Sequence, residues 1–143
     1  MASTHLNFAL DVDDGWPPVA TECVPFERVS TGYRTLSAPL FVKDLSVDDI
    51  IEPDFDANGL VTAWKHVSRS ENTTIWLLRL AHTTQLDIVL ARLRDLDCNT
   101  VSGDSLGCYA IDVPKRIPMA VVDEALAALD TESVAFPSFR HAE

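Results

Sequence analysis

Near residue 72 the hydrophobic residues of this chain change their spacing, and that change limits the folds open to it. Before it, short apolar runs are broken repeatedly by Gly, Pro, Asn and Asp. After it, two stretches carry apolar residues three and four positions apart, the spacing of one face of a helix. The first pattern predicts strands, and the second predicts helices laid against a sheet.

In the first half, strand-like runs cover Leu6–Val12, Glu22–Val29, Tyr33–Leu36, Phe41–Val42, Asp49–Glu52 and Leu60–Val67. Asp13-Asp14-Gly15-Trp16-Pro17-Pro18 predicts a turn followed by extended chain, because Gly accepts positive φ and each Pro refuses a strand's N–H bond. Asn58-Gly59 predicts a tight hairpin turn. Strands this short and this closely spaced suggest a small curled sheet or a partial barrel.

In the second half, Thr74–Leu80 reads as a strand with Trp76, Leu78 and Leu80 on one face. Gln85–Asp97 places Leu86, Val89, Leu90, Leu93 and Leu96 on one helical stripe, with Thr84 as N-cap. Strands follow at Asn99–Ser102 and Leu106–Val113 around a Gly103-Asp104 turn. A second helix opens with Pro118 at its first position and carries Met119, Val122, Leu126 and Leu129. Ser133–Phe139 closes as a last strand, stopped early or held to an edge by Pro137. The order is β-α-β-β-α-β, the ferredoxin-like pattern. The expected fold is therefore α+β: a β-rich half at 1–71 and a ferredoxin-like half at 72–143, packed as one compact unit. The boundary falls at Ser68–Asn72, and no repeat or low-complexity linker marks it.

Charge decides which partners are physically reasonable. The chain holds 22 Asp and Glu against 11 Lys and Arg, a net charge of −11. Both halves share it: five cations face eleven anions in 1–70, and six face eleven in 71–143. Such a field repels nucleic acid and anionic lipid and attracts basic protein. No apolar run approaches the ~20 residues of a membrane-spanning helix. The opening residues lack the basic and apolar regions of a secretion signal, so a cytoplasmic location is expected.

Chemical motifs are weak throughout. Asp54-Phe55-Asp56-Ala57-Asn58-Gly59 imitates the start of a calcium loop, but Lys65 stands where the bidentate Glu belongs, and a hairpin tip explains the residues better. Asp11, Asp13 and Glu22 repeat the coincidence, with Trp16 in place of the required Gly. His5, His66, His82 and His141 have no second His or Cys at ligand spacing. Cys23, Cys98 and Cys108 form no Cys-x-x-Cys pair; a Cys98–Cys108 bridge is conceivable, and free buried thiols are the plainer reading. Ser102-Gly103-Asp104-Ser105 lacks a nucleophile-elbow context, and Asn72-Thr73-Thr74 is a glycosylation sequon in form only. No catalytic residue, metal or cofactor is expected. A histidine set against a carboxylate in a cleft, with His66 or His82 as candidates, would be the sign of an enzyme.

Several stretches together resemble a bacterial family of small stand-alone proteins known only as a domain of unknown function. They are Asp13–Pro18 followed by Glu22, then Gly32-Tyr33-Arg34-Thr35-Leu36, Pro39-Leu40-Phe41-Val42 and Leu45-Ser46-Val47-Asp48-Asp49-Ile50. The resemblance runs from about Asp11 to Phe139. It implies a compact α+β protein and carries no reaction, cofactor or catalytic residue.

The function expected is non-catalytic protein binding, most concretely an immunity protein that neutralises a basic, nuclease-type toxin by blocking its cleft. The binding residues expected are Asp44, Asp48, Asp49, Glu52, Asp54 and Asp56, which fall within 13 residues, joined by Asp13, Asp14 and Trp16. The alternative is a small-molecule sensor or regulatory module using the ferredoxin-like half, an inference from fold analogy.

Overall fold

The structure is a computed structural model that describes residues 3–130, 132–135 and 139–140, and the chain divides into two units, residues 1–70 and 71–143. The protein is α+β, mostly strand, with two helices among the described residues.

In the first unit, β1 (Ser3–Ala9), β2 (Thr21–Val29), β3 (Gly32–Thr35), β4 (Ile50–Phe55) and β5 (Val61–Ser68) pair in sequence order. The sheet closes into a barrel, further than a curled sheet or partial barrel. In a meander of five antiparallel strands the first and fifth run the same way, so the closing pair must be parallel. Phe8 opposite Val61 makes it. Alternate side chains turn inward: Leu6 and Phe8 from β1, Val24 and Phe26 from β2, Ile51 from β4 and Val61 from β5. Phe8 meets Phe26 at 5.9 Å between ring centroids and Trp64 edge-on at 6.5 Å.

No strand forms at Phe41–Val42. Instead, the irregular connection between β3 and β4 carries Val42 and Leu45 into the barrel core. A buried connection has no neighbouring strand to satisfy its N–H groups, so side chains must do so. Glu22 and Asp49 supply the acceptors, as described below. The tip between β4 and β5 is a hairpin, with Gly59 at φ 82° and Asp56 Oδ1 accepting the N–H groups of Asn58 at 2.8 Å and Leu60 at 2.9 Å. Turn chemistry thus accounts for the calcium-like spacing.

In the second unit, β6 (Thr73–Arg79), α1 (Gln85–Asp95), β7 (Asn99–Gly103), β8 (Cys108–Val113), α2 (Met119–Leu126), β9 (Val134–Ala135) and β10 (Phe139–Arg140) follow in order. The strands are antiparallel in the order β10-β6-β8-β7, and β9 also pairs with β6. The last strand is thus two short pieces, and Pro137 between them lies outside the described residues. Leu86, Val89, Leu90 and Leu93 of α1 and Val122, Ala125 and Leu126 of α2 share one core with Ile75, Leu77, Tyr109, Ile111 and Val113.

The face of β6 differs from expectation. Ile75 and Leu77 join the helices, while Leu80 lies past the strand and is exposed. Thr73 to Leu77 are all buried, so both faces of the strand are covered and alternation has no contrast to read. Thr84 is the N-cap of α1 but makes no side-chain cap bond; Thr83 Oγ1 accepts the Gln85 N–H at 3.2 Å. Pro118 is extended at the N-cap of α2, one residue earlier than expected. Cys98 and Cys108 are both free, and the β7–β8 register puts them at opposite ends of the ladder, out of bridging range.

Candidate functional site

Each of the expected binding acids has a definite place, and the six from Asp44 to Asp56 do not form one free surface. Asp49 is fully buried, which removes it from any interface. Its Oδ1 accepts the Ser70 N–H at 2.7 Å, and its Oδ2 accepts the Ser46 N–H at 3.1 Å and lies 2.9 Å from His66 Nε2. Its backbone carbonyl accepts both the N–H and the hydroxyl of Thr35, at 2.8 and 3.0 Å. One carboxylate therefore ties the β3–β4 connection to the end of β5. The physical reason for the correction is that a buried connection needs an acceptor, and a buried anion needs donors.

Asp44 and Asp48 are exposed but engaged. Both oxygens of Asp44 meet the Arg69 guanidinium at 2.7 Å, a forked pair. Asp48 meets Arg34 at 2.6 Å, and Arg34 also reaches Glu27 at 3.1 Å. The Glu27 hydrogen bond and then the Asp48 bond hold the Arg34 guanidinium above its ordinary pKa. Glu52 faces Lys65 across the hairpin at 3.8 Å, and Asp56 is occupied by the turn. Asp14, Asp44, Asp48 and Asp97 all adopt positive φ. Asp tolerates that region better than most residues, so part of the acid excess also serves turn construction.

What remains outward is the Asp11–Trp16 segment together with Asp54. All are exposed, and no ion pair among the described residues engages Asp11, Asp13, Asp14 or Asp54. Asp13 and Trp16 exchange two backbone hydrogen bonds, at 2.9 and 3.1 Å, with Asp14 and Gly15 at φ 56° and 78° between them. Two consecutive positive φ values make the tightest hairpin turn, which Asp-Gly favours. The turn presents Asp13, Asp14 and Trp16 together. Trp16 is 40% exposed and stands edge-on to Phe41, with ring centroids 5.9 Å apart.

Phe41 is in turn fixed by Glu22, which in the sequence stood out only through the calcium-like spacing from Asp11 and in the family resemblance. Glu22 Oε2 accepts the Leu40 N–H at 2.5 Å, while Oε1 accepts those of Phe41 and Val42 at 2.9 and 3.0 Å. Burial pushes the Glu22 carboxyl above its ordinary pKa, outweighing the three backbone bonds that act to lower it. Strand alternation was the available signal, because Glu22 shares its parity with the inward-facing Val24 and Phe26.

The geometry named above as the sign of an enzyme is partly present, in His66 against Asp49. The His66 side chain is 13% exposed and stacks edge-on to Trp64 at 5.0 Å. Asp49 is committed to two backbone N–H groups besides the imidazole, so its role as an internal tie accounts for the pair. Among the described residues no group of three His, Cys, Asp or Glu side chains could hold a metal ion. No helix there is long and apolar enough to cross a membrane. In the second unit, Arg79 donates to the Tyr109 hydroxyl at 2.9 Å and Tyr109 to Asp104 at 2.8 Å, fixing the turn at Asp104–Leu106. Burial, then the Asp104 bond, pushes the Tyr109 phenol up to about 12.

The fold is that of an α+β protein with a β-rich first unit, and the acidic turn lies on that unit. Residues 25–136 match the model of a domain of unknown function, DUF4265, and the chain belongs to that family. The matched stretch starts after the Asp13–Pro18 turn. In fold, the chain is similar to a hypothetical protein from Neisseria gonorrhoeae of known crystal structure, with a TM-score of 0.68 and 16% identity over 99% of this chain and 93% of that one. No curated protein matches the sequence.

Proposed function

We propose that this is a non-catalytic binding protein that acts in the cytoplasm by presenting the Asp11–Trp16 turn, with Asp54 as a further acid, to a basic protein. In its most concrete form it is an immunity protein whose acids occupy the phosphate-binding cleft of a nuclease-type toxin. The observation that carries the reading is an exposed aromatic flanked by acids that no ion pair among the described residues engages. Aromatic anchors ringed by charge are what tight, steered interfaces use. Asp44, Asp48 and Asp49 leave the proposed surface, because arginine pairs or burial engage them.

The test is co-expression with the products of the adjacent genes, followed by affinity measurement, at two salt concentrations, of any basic protein that co-purifies. Binding that weakens as salt rises and is lost in Trp16→Ala supports the reading. Absence of a complex, or one indifferent to Trp16 and to salt, overturns it.

For the second unit we favour a ferredoxin-like description, supported by its β-α-β-β-α-β order and by a sheet order in which the last strand flanks the first. That supports a second reading, a sensor or regulatory module for a small molecule. Thermal stabilisation by a metabolite in the absence of any protein partner would favour it.

A further inference from the structure

We infer that Glu22 is the positioning residue for Trp16, acting through the backbone of Leu40–Val42 and the ring of Phe41. The inference rests on the proposed binding role of the Asp11–Trp16 turn and names the internal part that sets its aromatic.

Three consecutive backbone N–H groups converge on one carboxylate, two on Oε1 and one on Oε2. Successive N–H groups turned to one side form an anion-binding concavity, and here the protein fills it with its own side chain. Glu22 sits on the inward parity of β2, directly opposite Phe8 on β1, so the strand ladder fixes where the carboxylate reaches. The chain at Leu40–Val42 has no strand partner to shape it. The carboxylate therefore sets the path of this backbone and with it the direction of the Phe41 side chain. Phe41 is buried and supplies the surface on which the edge of Trp16 rests. Trp16 is otherwise carried by a four-residue turn whose own hydrogen bonds are local. Removing the support leaves the turn intact but frees its indole, so the anchor would pay more rotamer entropy on binding.

The molecule contains its own control. Trp64 stacks on Phe8, the residue opposite Glu22, so a general loosening of this end of the barrel reaches Trp64 as well. A positioning role moves Trp16 and spares Trp64.

The experiment is fluorine NMR on protein carrying 5-fluorotryptophan, combined with amide exchange, for wild type, Glu22→Gln and Phe41→Leu. Gln keeps one acceptor oxygen but turns an NH2 group toward an N–H donor. In Glu22→Gln, the Trp16 signal shifts, the Trp64 signal stays, and the Leu40 amide exchanges about tenfold faster, the scale of one hydrogen bond's net worth. In Phe41→Leu, Trp16 shifts while the three amides keep their protection. Should Glu22→Gln not fold, Glu22→Asp, one methylene shorter, is read in the same way. An unmoved Trp16 in either variant, or a Trp64 shift as large as that of Trp16, overturns the inference. None of these readouts involves a partner, so they fail or succeed separately from the binding role.

Discussion

Asp49 and His66 meet at 2.9 Å inside the first unit, and the acid is completely buried. A buried carboxylate that gathers an imidazole and two backbone N–H groups ties the turn at Ser46 to His66 on β5 and to Ser70 just beyond that strand. Replacing it by Ala leaves those donors without an acceptor. Asp49→Ala is therefore expected to lower the unfolding free energy by about 3 kcal/mol or more. His66→Gln, which keeps a donor, is expected to cost about 1 kcal/mol. Urea unfolding checks both, and equal effects would show that the contact, rather than the acid, carries the energy.

Gly32 and Gly59 both adopt positive φ, yet they differ in surroundings. A Cβ on Gly32 would lie 2.3 Å from the Ile51 carbonyl oxygen, where β3 meets β4, whereas a Cβ on Gly59 meets nothing within 4 Å. Gly59→Ala is expected to cost about 1 kcal/mol, the backbone term alone. Gly32→Ala must also move a strand and is expected to cost about 3 kcal/mol. Thermal melting of the two variants side by side reads the difference.

The cysteines should separate cleanly in a thiol assay. Cys98 and Cys108 are buried, and burial first of all pushes the Cys98 thiol up to about 11 and raises that of Cys108 as well. Both stay protonated at neutral pH, and only the thiolate reacts. Cys23 is exposed on β2. Native protein is expected to react rapidly at one thiol, and denatured protein at three. Mass mapping of the fast adduct to Cys98 or Cys108 would contradict the burial.

Glu22 gives a pH dependence of known sign. Its folded pKa is raised by burial above the ordinary 4.5, so between the two values the folded chain holds more proton than the unfolded chain. Its contribution to stability is fully present below the ordinary value and is lost as pH rises through the folded one. Glu22→Gln does not titrate, so stability relative to this variant should fall across the window just above pH 4.5. A difference that rises across that window would mean that the backbone donors outweigh burial.

Much of the second unit was legible because its helices have one clear period: Leu86, Val89, Leu90 and Leu93 could face only one way. β6 was legible as a strand, but its helix-facing side was not, because Thr73 to Leu77 are all buried and Trp76 and Ile75 look alike in sequence. In the first unit, β2 and the β4–β5 hairpin followed from alternation and from Asn58-Gly59. Closure did not, since the parallel contact of Phe8 with Val61 joins residues with no local relationship. The exposed turn of the candidate site was legible in Asp13-Asp14-Gly15-Trp16, where turn chemistry and exposure coincide. The site was overread between Asp44 and Asp49, because a charge count cannot separate a solvated acid from one that builds a turn or ties a loop. Parity along β2 and β5 offered the missing distinction, placing Glu22 with Phe26 and His66 with Trp64.

In the proposed function a particular acidic turn, rather than net charge, makes the binding surface. Two charge-matched variants test it most directly: Asp13→Asn/Asp14→Asn and Asp44→Asn/Asp48→Asn, each titrated at physiological salt against the basic protein recovered by co-expression. The first pair is expected to weaken binding by about tenfold or more, and the second to change it by less than about threefold while lowering stability. Equal losses in the two, or a larger loss in the second, would contradict the account.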